Sequence, residues 1–197
     1  MIDDRRAGIA ESVEVAEQVA VRRVQAGDRE AYALLVKLHV AAAHRAAVLF
    51  GAGADAEDVV QTAFIKALQA MPDFRADAPF RPWLLRIVSN EAKNAARASG
   101  RRRAALARLA GLGGEDAPDD PLAVALSDER QRELLDAVRR LPEPQQRVIV
   151  CRYLLDLDEK ETAEVLGWPA GTVKSRLYRA LRRLRSQMES VVEEAEK

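Results

Sequence analysis

Residues 158–185 constrain this chain more than any other stretch. Asp158 is a good helix N-cap, and Glu161 three residues later completes an Asp-x-x-Glu capping box. The spacing predicts a first helix ending at Leu166, with Gly167 as its terminator and Pro169 at or just before the next helix. On that second helix Val173, Leu177, Ala180, Leu181 and Leu184 form one apolar stripe. Thr172, Ser175, Arg176, Arg179 and Arg183 occupy the opposite face, with Lys174 among them in sequence. From Ala170 to Gln187 there are six Lys or Arg and no Asp or Glu. Charge alone would fit an amphipathic surface helix equally well. The box, the glycine turn and the one-sided charge together indicate a helix-turn-helix whose second helix enters a DNA major groove.

The rest of the chain agrees with a helical protein. Aromatics make up 5% of 197 residues and apolar residues 48%, with abundant Ala and few β-branched runs. The expected fold class is all-α: two small helical domains joined by a flexible acidic linker, the C-terminal one a helix-turn-helix. Net charge is zero, which argues against a uniformly basic nucleic-acid coat, but the charges are segregated. The single cysteine, Cys151, excludes an internal disulfide or a multi-Cys metal site, and its Val148, Ile149, Val150 neighbourhood suits a buried thiol. His39 and His44 sit about 140° apart on a helix and are poor partners for one metal; no cofactor or metal is expected. No signal-type apolar core and no run near 18 apolar residues is evident, so a cytoplasmic protein without membrane insertion is expected.

Taken in order, residues 1–18 form an N-terminal extension that frays at 1–8, and residues 10–26 read as a helix stopped by Gly27, with Asp28 capping the next. Residues 29–50 follow as a helix with Tyr32, Leu35, Val36, His39 and Ala43 on one side, broken by Gly51 and Gly53. Asp55 then caps a helix whose buried stripe is Val60, Ala63, Phe64, Ala67, Leu68 and Met71. Its outer face presents Asp58, Gln61, Thr62, Ile65 and Gln69, and an Ile among acids and amides suggests a docking surface. Asp55, Glu57 and Asp58 read as first-turn anions rather than as metal ligands or an acid–base pair.

A loop spans residues 72–81, and Pro82 suits the opening of another helix. Phe74, Phe80 and Trp83, half of the chain's six Phe and Trp residues, cluster there. Arg86, Asn90, Lys93 and Arg97 form a basic stripe on the helix that follows, continued by Arg101, Arg102 and Arg103. A basic stripe beside an aromatic loop suits single-strand capture; the alternative is that the rings only seal a helix junction, which is the reading for Trp83. Pattern is lost from Ser99 to Ser127, where breakers and acids mix, placing a linker at 101–127 between domains at 19–100 and 128–190, with a tail at 191–197. Leu134, Leu135, Val138 and Leu141 mark one further helix, ended by Pro142-Glu-Pro, and residues 145–155 another.

Five motifs occur in order: Gln25-Ala-Gly-Asp-Arg-Glu-Ala, Asp55-Ala-Glu-Asp-Val-Val-Gln-Thr-Ala-Phe, Phe80-Arg-Pro-Trp-Leu-Leu-Arg-Ile, Leu141-Pro-Glu-Pro-Gln-Gln-Arg and Gly171-Thr-Val-Lys-Ser-Arg-Leu. Together, over about residues 19–188, the chain resembles bacterial sigma factors of the extracytoplasmic-function branch of the sigma-70 family. The resemblance implies a non-enzymatic subunit that binds core RNA polymerase and promoter DNA, as duplex and as single non-template strand, and that is held by an anti-sigma factor. It implies polymerase docking through Asp55, Asp58, Gln61, Thr62 and Ile65. Phe74, Arg75, Asp77 and Phe80 of the loop would receive a flipped base, and Arg86, Asn90, Lys93 and Arg97 would hold the −10 strand. Thr172, Lys174, Ser175, Arg176, Arg179 and Arg183 would meet the −35 duplex. The chain departs from the family pattern at Ala67 and Leu68, where a Trp is usual, in the stretch after Ile87, and at Trp168-Pro169, where Ile-Ser is usual. A stand-alone helix-turn-helix regulator is a second reading, which the aromatic loop and long linker fit poorly. An enzyme using the Asp55, Glu57 and Asp58 carboxylates is a third, without a matching His, Cys or Gly-rich phosphate loop in support.

Overall fold

The computed structural model describes residues 2–110, 134 and 136–195, and the side chains of 13–102, 104–105, 134 and 136–187. Every regular element among them is helical. The first half comprises α1 (Ile2–Gln25), α2 (Tyr32–Leu49), α3 (Ala56–Ala70) and α4 (Phe80–Ala110). The second half contains α5 (Glu143–Ile149), a π turn over Val150–Leu154, α6 (Glu159–Leu166) and α7 (Ala170–Ala195). Residues 2–18 of the extension therefore belong to α1, including 2–8, where fraying is expected.

The local signals in the sequence explain most boundaries. Gly27 takes φ +97°, and the Asp28 carboxylate accepts from the Glu30 and Ala31 backbone N–H groups, so one helix stops and the next turn starts within two residues. Asp55 behaves differently from the cap expected of it. It occupies the N-cap position of α3 without a side-chain cap bond, and its carboxylate lies 3.3 Å from Arg102 instead. α4 also outruns expectation: it continues past Ser99 to Ala110, through ten residues assigned to the linker. The Arg-Arg-Arg-Ala-Ala-Leu-Ala-Arg-Leu-Ala run consists of strong helix formers, which outweigh the roughly 1 kcal/mol cost of Gly100. The acidic part of the linker, 111–127, and Leu135 lie outside the described residues.

α4 is the central helix. It packs against α2 and α3 on one side and against α6 on the other, so the second half of the chain folds back onto the first. Phe80, Leu84, Leu85 and Val88 are fully buried, each contributing about 1.5–3 kcal/mol relative to exposure. Val150, Cys151, Leu155, Leu157 and Val165 from the second half join the same core cluster as these residues. A smaller cluster joins Ala137, Val138, Leu141 and Ile149 to Ala180 and Leu184 of α7. Leu181, expected in that stripe, is 41% exposed, and Leu68, expected in the stripe of α3, is 36% exposed.

The segment Arg29–Leu49 is long and apolar enough by composition to cross a bilayer. Its Leu35, His39, Ala43, Ala46 and Ala47 are nevertheless buried, which marks a core helix. Tyr32 donates its hydroxyl to the Phe64 carbonyl at 2.6 Å, pinning α2 to α3. Burial pushes this phenol well above its usual range.

Candidate nucleic-acid interface

The helix-turn-helix follows its sequence signals closely. Asp158 accepts from the Glu161 N–H at 2.7 Å while the Glu161 carboxylate accepts from the Asp158 N–H at 2.8 Å, a complete capping box. Gly167 closes α6 in the left-handed region at φ +66°. Thr162 and Val165 of α6 and Val173 and Ala180 of α7 are buried, which fixes which face of α7 is left outward. On that face Lys174, Arg179 and Arg183 are exposed, and Thr172, Ser175 and Arg176 are half-buried. The Ser175 hydroxyl donates to the Thr172 carbonyl at 3.1 Å.

Two features here escaped the sequence reading. The Arg176 guanidinium lies 3.9 Å over the Trp168 ring centroid, a cation–π stack that links the turn to the recognition helix. Further along α7, Arg179, Arg182 and Arg183 with Gln145 and Ser186 line a shallow concavity whose donors suit a phosphate. Arg182 is legible from its place between Arg179 and Arg183. Gln145 is not, because it comes from α5.

The loop at residues 74–80 is built differently from the expectation. Phe74 is 7% exposed and Phe80 fully buried. Their rings meet edge to face at 5.9 Å, and Trp83 stacks on Phe74 at 4.5 Å. These rings are the floor of the loop and are not presented to solvent in this conformation. Besides Pro79, the loop exposes Arg75 and Asp77, joined by an ion pair at 2.7 Å. The hydrogen bonds from Arg75 hold the Asp77 carboxyl below its usual range.

On α4, Arg86, Asn90 and Arg97 are exposed and Lys93 half-buried, so the basic stripe faces outward. The second half of the chain abuts its start. Gly167 lies beside the Arg86 guanidinium, Arg81 donates to the Leu155 carbonyl at 2.6 Å, and Arg147 bonds the buried Ser89 hydroxyl. Arg147 also stacks over Phe50 at 5.0 Å, and desolvation lowers its pKa.

The expected docking residues divide between two surfaces. Gln61 and Ile65 open onto an apolar groove of about 970 Å³ between α2 and α3, lined also by Val40, His44, Phe64 and Leu68. Ile65 is 51% exposed there. Asp55, Asp58 and Thr62 line a separate concavity between α3 and α4, together with Arg102. Among the described residues no group of three or more His, Cys, Asp or Glu is arranged to hold a metal.

Comparison with known proteins assigns the chain to a family. Residues 34–102 match the family Sigma-70 region 2 and residues 131–184 match Sigma-70, region 4, together more than half of the chain. The ECF RNA polymerase sigma-E factor of Haemophilus influenzae is 34% identical over 190 residues, covering 91% of this chain and 98% of that protein. Its counterpart in Escherichia coli K12 is 35% identical over 191 residues, covering 92% and 98%. Among solved structures, CnrH in complex with the cytosolic domain of CnrY superposes with a TM-score of 0.65 at 30% identity, over 89% of this chain and 98% of that one. The sigma factor RpoE in complex with the anti-sigma factor NepR from Bartonella quintana gives a TM-score of 0.61 at 25% identity, over 78% and 94%. The chain belongs to the sigma-70 family of RNA polymerase sigma factors, in its extracytoplasmic-function group.

Proposed function

We propose that this chain is an alternative sigma factor that grips a promoter at two points and contributes no covalent chemistry of its own. The observation that carries this reading is the presence, on one chain, of a fully capped helix-turn-helix and of an outward basic stripe on α4 beside the 74–80 loop. Thr172, Lys174, Ser175, Arg176, Arg179 and Arg183 read and grip the −35 duplex, with Arg182 and Gln145 added as phosphate contacts. Arg86, Asn90, Lys93 and Arg97 hold the −10 strand, and the loop, through Arg75 and Asp77 over its aromatic floor, receives an unstacked base. Gln61 and Ile65 dock in the polymerase through the α2–α3 groove, while Asp55, Asp58 and Thr62 offer an acidic edge to it.

Residues 19–100 and 128–190 act as the two functional domains, and the protein works in the cytoplasm with core RNA polymerase. Both similar structures named above contain a second protein chain, one of them an anti-sigma factor; a partner of that kind is proposed here as the regulator.

Run-off transcription with core polymerase on a promoter library tests this. Promoter-dependent initiation is expected; clean duplex binding without initiation would favour the stand-alone regulator. Replacing Arg179 by Ala should weaken duplex binding across sequences and reduce the slope of log K against log salt by about 1. An unchanged slope would remove Arg179 from the phosphate contacts.

A further inference from the structure

The buried Glu17 carboxylate belongs to neither the proposed DNA contacts nor the proposed polymerase contacts. Glu17 is 7% exposed and His39 5%. One oxygen of Glu17 accepts the Phe80 backbone N–H at 2.9 Å, and the other lies 2.7 Å from His39 Nε2. His39 in turn packs on the Phe80 ring at 5.3 Å. Burying a carboxylate costs several kcal/mol unless hydrogen bonds and opposite charge compensate, so its neighbours indicate what it is there to hold. Phe80 is the first residue of α4, and its N–H is one of the orphan donors of a helix start. The preceding residues, Ala78 and Pro79, carry no side-chain acceptor for it. The cap of α4 is therefore supplied from α1.

α1 also holds the other end of the loop. Gln25 Nε2 donates to the Met71 carbonyl at 3.0 Å and to the Phe74 carbonyl at 2.6 Å. Positions 17 and 25 lie about 12 Å apart along α1, and they fasten the two ends of the segment that carries exposed Arg75 and Asp77. The turn bond from the Ala78 N–H to the Arg75 carbonyl, 2.9 Å, is internal to that segment. Its ends are set by α1.

We propose that Glu17 and Gln25 are positioning residues for capture of the non-template −10 base, with α1 acting as the frame of the 74–80 loop. Glu17 sets where α4 begins, and His39 packs beside Glu17 and on the Phe80 ring. Gln25 sets where the loop leaves the turn at Met71. This inference rests on the reading that the loop receives an unstacked base.

The test uses the full chain bound to core polymerase. The probe is the single non-template strand of the promoter selected in run-off transcription, intact or with an abasic site at the captured position. The parent protein should bind the intact strand at least tenfold more tightly than the abasic one. Gln25→Met keeps the side chain's length and removes its donors. It should lose most of that ratio while binding core polymerase and −35 duplex within twofold of the parent. Glu17→Gln keeps the acceptor for the Phe80 N–H and should retain the ratio. A Gln25→Met protein whose intact-to-abasic ratio equals the parent's would overturn the positioning role, whatever its thermal stability. A parent that binds both strands equally would instead overturn the loop reading on which the inference stands.

Discussion

Arg176 reaches the outward face of α7, where the −35 contact is proposed, already in contact with an aromatic surface. A guanidinium stacked on Trp168 has lost most of its rotamer choice before DNA arrives, so less entropy is lost on binding. An exposed cation–π contact contributes about 0.5–1 kcal/mol. Trp168→Ala should therefore weaken −35 duplex binding by roughly two- to fivefold, and Trp168→Phe should recover most of it in a fluorescence anisotropy titration. Equal affinities for all three proteins would show that the stack does not prepare Arg176. Cys151 makes a prediction of another kind. Burial pushes its thiol up to about 12, above the ordinary value near 8.5 that an unfolded chain would show. Between those two values the unfolded chain has released the proton and the folded one has kept it, so stability should fall as pH rises from about 9 to 12. Urea midpoints for the protein and its Cys151→Ala variant should diverge across that window. Parallel midpoints would mean the thiol titrates alike in both states.

Among the elements, the helix-turn-helix was legible in the sequence because its determinants are local. A capping box, a left-handed glycine and a proline act within a few residues of themselves, and Asp158, Gly167 and Pro169 all behave as read. Gly167→Ala tests this directly. A Cβ there would meet nothing closer than Arg86 at 3.9 Å, so the cost is conformational only. It should be about 1–2 kcal/mol in denaturant unfolding; a loss under about 0.3 kcal/mol would mean the turn relaxes out of the left-handed region. What the sequence hid has a common cause. Periodicity tells that a face of α4 is buried, not that α6 buries part of it, and it cannot show that a Glu on α1 caps α4. Asp55 looked like a cap because nothing local betrays Arg102, 47 residues on. The extension of α4 to Ala110 was missed because Arg and Ala in a row serve a solvated helix and a basic loop equally well. Composition reports an aromatic cluster at Phe74 and Phe80, whereas only packing reports which way the rings face.

For the whole molecule, the decisive contacts are those between the halves. Arg81 to the Leu155 carbonyl and Arg147 to Ser89 are hydrogen bonds from charged donors at partly buried positions, worth about 1.5–3 kcal/mol each. Cys151 belongs to the core cluster the halves share and is fully buried, so it is a natural reporter of their separation. Arg81→Ala combined with Arg147→Ala should raise the rate of thiol labelling at Cys151 by tenfold or more at unchanged helix content by circular dichroism. A change below twofold would mean these arginines do not hold the halves together. The covalent chain from Ala110 to Leu134 allows the halves to separate by up to about 80 Å.

That packing makes promoter recognition a question of populations. A closed state favoured by about 3 kcal/mol leaves roughly one molecule in 150 open. If DNA binds only open molecules, the free chain's apparent affinity falls by the same factor. A protein that binds the open form, as core polymerase must if it seats both halves, restores that affinity without touching the DNA. By reciprocity, promoter DNA tightens the grip on polymerase equally. A protein that clasps the closed form does the reverse, and it needs to cover neither α7 nor the 74–80 loop to silence both.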